Sequence, residues 1–336
     1  MQKVGHQALK SFTTGGTNVA VGQSALYALT TSTKNTAIGY QAGAAITTGI
    51  GSTFVGYLAG YQSGGGSNVI IGDRAFDACT DSTSTANVII GASAGGANNS
   101  AYSSDNIFIG HNTGFGGSGR MHSNIAIGRN VLMSTAGNGV TGQIAIGHEA
   151  LTSLTSGTLN TAIGYKAGTA MTTGHSNTIL GYEAFKTENG GGGGNVVIGR
   201  NAGDLIDSDD CDNNVLIGME AGRTGTGTMT YNVAIGRDAM KSIGSSAQTG
   251  TVAIGGLALV NLSSGANNVA IGYNAMHTHT TGHSNIAIGY GAMDDTDAGS
   301  NSNDSDHNLA IGVNAMGGTW ANTKSENNIA IGNNSM

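Results

Sequence analysis

The 336 residues contain no proline, only 5% aromatic residues and only 10% charged residues, where an ordinary globular chain carries about a quarter. Each proline removes a backbone N–H donor, so a chain that pairs nearly all its backbone in ladders excludes it. The same absence, with no three-residue glycine period, rules out collagen. Low charge argues against ordinary disorder, which needs high net charge. A net charge of −7 leaves no basic footprint for nucleic acid. No run of 18 apolar residues exists to span a membrane as a helix. The opening Met1-Gln2-Lys3-Val4-Gly5 enters a repeat at once and shows no signal peptide.

What is abundant is glycine, 58 residues, and it is periodic. The unit reads Asn, a β-branched residue, Ala or a larger apolar residue, Ile or Val or Leu, then Gly-x-x-Ala. Asn35-Thr36-Ala37-Ile38-Gly39 and Asn232-Val233-Ala234-Ile235-Gly236 are clear copies. Nineteen copies are found, counting a degenerate first one, at intervals of 16 to 20 residues with one of 23 before Gly312. A unit of this size has no core of its own and gains one by stacking on its neighbours. The expected fold is therefore all-β, a parallel β-solenoid of about 18 coils ~4.8 Å apart, a rod of roughly 90 Å. It is expected to run through residues 1–336 as one continuous repeat, with no separate domains or linkers.

Within the motif, the Asn is expected to form an amide ladder up the stack. The glycine marks a bend that needs positive φ or close backbone approach. Strand alternation puts the second and fourth positions on one face, and their Val and Ile residues are expected to fill the interior. The third position then points outward, although it too is apolar. Phe54, Ile70, Ile89 and Phe108 would form an exposed stripe, read as an oligomer interface, most simply of a trimer about a long axis. A coil folded over its own stripe is the alternative.

The Asn-x-Ala-Ile-Gly-x-x-Ala unit resembles the head repeats of trimeric autotransporter adhesins. It is also similar to the NTAIGYQAG-type repeats of phage tail-fibre-like and bacterial surface proteins. The resemblance covers essentially the whole chain and implies a solenoid, trimerisation and an extracellular or virion-surface location. Adhesin head coils are shorter, and no coiled-coil stalk, membrane anchor or chaperone domain is seen here. Ile-Gly-x-x-Ala also fits one hexapeptide of left-handed β-helix acyltransferases, but those tile it three times per coil, so no enzyme is expected.

Candidate sites are few. Tyrosine follows the motif glycine in adjacent coils at Tyr40/Tyr57, Tyr165/Tyr182 and Tyr273/Tyr290, where stacked rings would suit a sugar or a receptor or would simply stabilise the ladder. Asp207, Asp209 and Asp212 are candidates for calcium, as is the run from Asp294 to Asp306, although neither matches a known calcium-loop spacing. No other cofactor is expected. His277, His279 and His283 read as solvated turn residues; His122, His175 and His283 share a coil position but lie too many coils apart to share a metal. Cys79 falls on a core column with Leu29, Ile46, Leu154 and Ile243, and Cys211 in a turn; the two are too far apart along a straight solenoid to pair.

The expected function is that of a non-catalytic fibre or filament subunit that associates laterally and, since the chain begins and ends on motif strands, end to end. The alternative is a tail-fibre or adhesin module whose turns bind host glycans. Ice binding ranks below both, because the threonines form no regular grid.

Overall fold

The computed structural model describes residues 1–79, 83–96, 103–116, 119–135, 139–187, 190–206, 211–225, 227–242, 244, 246–295, 305–318 and 325–335. Two compact units are formed, Met1–Lys166 and Ala167–Met336. Each is a parallel β-solenoid with no helix among the described residues. Every motif copy makes a three-residue strand. Ten strands run from Gln2–Val4 to Thr161–Ile163 in the first unit, and nine from Thr178–Leu180 to Ile329–Ile331 in the second. Within each unit pairing keeps one register, so that Ala126 lies between Phe108 and Ala145. Shorter strands on another wall, Met121–His122, Val140–Thr141 and Gly157–Thr158, pair in the same sense.

The strands are short because both ends are fixed. At the front stands the Asn, at most 2% exposed from Asn18 to Asn308 wherever it occurs in this stretch. Asn195 shows its role. Its Nδ2 donates to Asn177 Oδ1 at 3.0 Å and to the Cys211 carbonyl at 2.6 Å. Its Oδ1 accepts the backbone N–H and the side-chain Nδ2 of Asn214, at 2.9 and 3.0 Å. The amide ladder is thus also a backbone clamp, and its polar atoms are satisfied without water. Ser52 and Gln143 substitute by accepting the N–H of Asn68 and Asn160. Thr251 breaks the ladder, for its hydroxyl has no partner.

At the back stands the glycine, with φ between +128° and +146° in all copies. A side chain is strained there, and space is lacking as well: a Cβ on Gly236 would lie 2.5 Å from the Gly255 carbonyl oxygen. Conformation and close approach therefore both require glycine.

The strand faces are the reverse of the sequence expectation. Phe54, Ile70, Ile89 and Phe108 are all 0% exposed and belong to the core, not to an outer stripe. The second and fourth positions face out; Ile38 and Leu180 are 43% and 44% exposed. Parity explains the reversal. The Asn at the first position shares a face with the third, so a ladder that needs shielding brings the third position inside with it. The second and fourth positions then carry β-branched residues on an outer pleated face, where they pack against their neighbours above and below.

In most coils the third position is matched in volume by the residue four after the glycine. Alanine meets a large residue in Ala20/Leu26, Ala126/Leu132, Ala234/Met240 and Ala270/Met276, whereas Phe54, Phe108 and Leu216 meet Gly60, Gly114 and Gly222. In Ala37/Gly43 and Ala162/Gly168 both are small, and Ile46 reaches the space beside Gly43. Leu26 and Leu132 hold φ near +50°, which places their side chains inward from the turn. Ile70/Phe76 and Ile179/Phe185 are exceptions, with a large buried residue at both positions; elsewhere close packing of the narrow coil balances one position against the other.

Candidate binding surface

Because the coils keep register, side chains at equivalent positions form columns, and the column after the motif glycine is solvent-facing. Tyr40 and Tyr57 stack with ring centroids 5.2 Å apart and planes 10° apart. Tyr273 and Tyr290 do the same at 5.8 Å and 15°. These rings are 40% to 54% exposed. Tyr165 stacks on His148 at 5.2 Å in the first unit, and Tyr182 is 49% exposed in the second. Cations sit over the rings, Arg74 at 5.9 Å from Tyr57 and Lys166 at 5.4 Å from Tyr165. Tyr165, and Glu149 at 3.5 Å, hold the Lys166 amine above its usual pKa. Stacking and cations occupy ring faces, so such a column presents mainly ring edges and phenol hydroxyls to solvent.

Two features of this surface were not read from the sequence. The first is an ion-pair ladder in the second unit, two and five residues after the motif glycines Gly181, Gly218 and Gly236. Lys186 pairs with Glu183 at 3.2 Å, Arg223 with Glu220 at 3.0 Å, and Lys241 with both Glu220 and Asp238, at 2.7 and 3.2 Å. Burial pushes the Asp204 carboxyl up, against the pull of Lys186 and Arg223. Hydrogen bonding from Lys241 draws Glu220 down. The i,i+3 recurrence of opposite charges in three of four consecutive repeats, with Asp204 in the fourth, was the available signal. The second feature is a cavity of about 350 Å³ on the first unit, lined by Tyr27 and Tyr61 among others.

The metal candidates are not brought together. Asp207 and Asp209 lie outside the described residues, as do Asp297 and Asp304. Asp212 instead accepts the Gly193 N–H at 2.6 Å. Asp294 is pushed up by burial and by Asp295 beside it. Among the described residues no group of three or more His, Cys, Asp or Glu side chains is placed to hold a metal ion. His122 bonds Ser104 at 3.0 Å, and His283 accepts the Ala266 N–H at 3.0 Å. His279 corrects the expectation of a solvated turn: it is 0% exposed, at the coil position that Leu29, Ile46, Cys79 and Leu154 hold in the first unit, with Nε2 3.4 Å from Asn285 Nδ2. Ile243 lies outside the described residues. Both cysteines are fully buried, so Cys211 belongs to the interior as Cys79 does.

A scan against family models, a search of curated proteins and a search of solved structures each return no match. No described helix is long and apolar enough to cross a membrane.

Proposed function

We propose that the chain is a non-catalytic structural subunit of an extracellular or virion-surface fibre, and that it associates laterally with copies of itself. The observation that carries this reading is the outer strand face. In the first unit ten rows ~4.8 Å apart give a strip roughly 43 Å long and about 10 Å wide, a footprint on the order of 400 Å², comparable to the largest apolar patches of monomers, which are often functional. It is made of pairs such as Val88/Ile90, Ile125/Ile127 and Ile144/Ile146. The strip is flat and nearly free of charge, which suits a second flat strip. The constant residues of the repeat support the same reading, since the Asn and the glycine both serve to join one coil to the next.

Sedimentation velocity tests it. The unmodified protein should sediment as an oligomer at micromolar concentration. Ile90→Lys, Ile127→Lys and Ile163→Lys together, in alternate coils of one outer column, should release single chains while the far-ultraviolet spectrum stays β. An unmodified protein that sediments as a single chain refutes lateral assembly.

A second reading, a module that binds glycans or a receptor through its turns, is favoured by the exposed Tyr40/Tyr57 and Tyr273/Tyr290 stacks.

A further inference from the structure

We propose that the cavity between Tyr27 and Tyr61 is a binding slot for one pyranose ring of a neutral saccharide. The argument goes beyond the fibre reading and rests on a gap in a side-chain column. Five residues after the motif glycine stand Lys10, Tyr27, Ala44 and Tyr61 in successive coils. Backbone bonds fix that register: Ser11 N–H donates to the Tyr27 carbonyl at 3.1 Å, Ala28 N–H to Ala44 at 2.9 Å, and Ala45 N–H to Tyr61 at 2.9 Å. Tyr27 and Tyr61 are thus two coils apart, ~9.6 Å. Both line the same cavity, and Ala44 lies between them. Where tyrosines occupy consecutive coils, as Tyr40 and Tyr57 do, they stack at 5.2 Å. Ala44 therefore leaves open, between two tyrosines, the space that a ring in its coil would take.

The gap selects by thickness. A flat aromatic guest touching both tyrosines at carbon–carbon contact of ~3.5 Å would span only ~7 Å, leaving the slot slack. A saturated six-membered ring, thickened on both faces by axial hydrogens, fills the difference and places C–H groups against both aromatic faces. The rim selects by polarity. Gln7, Ser24 and Gln41 line the same cavity from the column two residues after the glycine, and they offer amide and hydroxyl groups to ring hydroxyls. None of the lining residues is charged, so a neutral guest is matched. Tyr27 is held in place from the preceding coil, where Lys10 Nζ lies 5.2 Å from its ring centroid and donates to its hydroxyl at 3.1 Å. A volume of about 350 Å³ stands at the lower end for small-molecule sites.

Saturation-transfer NMR of the full chain tests the assignment, with millimolar methyl glycopyranosides of glucose, galactose, mannose and N-acetylglucosamine as probes and p-cresol as the flat control. At least one glycoside should receive saturation, strongest at its axial ring protons, and more than p-cresol. Ala44→Tyr supplies a ring in that space and should lower that signal at least tenfold with the β spectrum unchanged. Tyr61→Ser opens one wall and should do the same, which keeps the test decisive if Ala44→Tyr does not fold. No transfer to any glycoside, preferential transfer to p-cresol, or transfer unchanged in the folded variants overturns the proposal. Each of these results is independent of whether the chain assembles.

Discussion

Ala126→Asp is expected to unfold the coils around it, whereas Ile127→Asp, one residue on, is expected to leave the protein folded. Ala126 is 0% exposed and packed between Phe108 and Ala145, so a carboxylate there has no water and no partner. The loss should exceed about 4 kcal/mol, in the range reserved for buried unpaired charge. Ile127 is only half-buried on the outer face, and its replacement loses a strand preference of ~1 kcal/mol. Denaturant midpoints followed by far-ultraviolet circular dichroism compare the two directly. A lower midpoint for Ile127→Asp than for Ala126→Asp would mean that the strands face the other way.

The second large effect is a swap within one layer. Phe108→Ala should cost about 3–5 kcal/mol by leaving a cavity. Gly114→Leu should also be destabilising, because even a Cβ at Gly114 would lie 2.6 Å from the Phe108 ring. Combined, the two changes reproduce Ala126/Leu132, the pairing of the next coil. Leu132 already holds φ +50° and Gly114 holds +61°, so the backbone accepts the leucine. The double variant should therefore return to within about 1.5 kcal/mol of the parent, as volume-conserving exchanges do. Thermal or denaturant unfolding of the four proteins closes the cycle. Destabilisations that simply add would show that the two positions do not share one volume.

The architecture was legible because it depends on period alone. An Asn, three strand residues and a glycine every 16 to 20 residues determine a stacked coil before any side chain is placed. The Asn ladder and the glycine were legible for the same reason, since each is a contact between equivalent positions. Facing was not. Assigning the Val and Ile of the second and fourth positions to the interior sent Ala126 to the wrong side, whereas Asn124, on the same face as Ala126, is fully buried with its amide bonded to Asn106 and Val140. A signal for the true facing was present in the reciprocal sizes of Phe108/Gly114 and Ala126/Leu132, which only residues sharing one interior would need. His279 was misjudged in the same manner, by residue type and not by the coil position it shares with Leu29 and Cys79. The Tyr27–Tyr61 slot is legible only after the register is known, because its defining feature is a ring absent at Ala44 between rings 34 residues apart.

The central claim, a structural fibre built from stacked coils, is tested most directly by X-ray diffraction from an aligned, concentrated specimen of the unmodified protein. If the chain forms fibres whose axis is the coil-stacking direction, strands lie across that axis and a reflection near ~4.8 Å falls along it. A specimen that does not align, or a ~4.8 Å reflection confined to the direction across the fibre, would contradict the account.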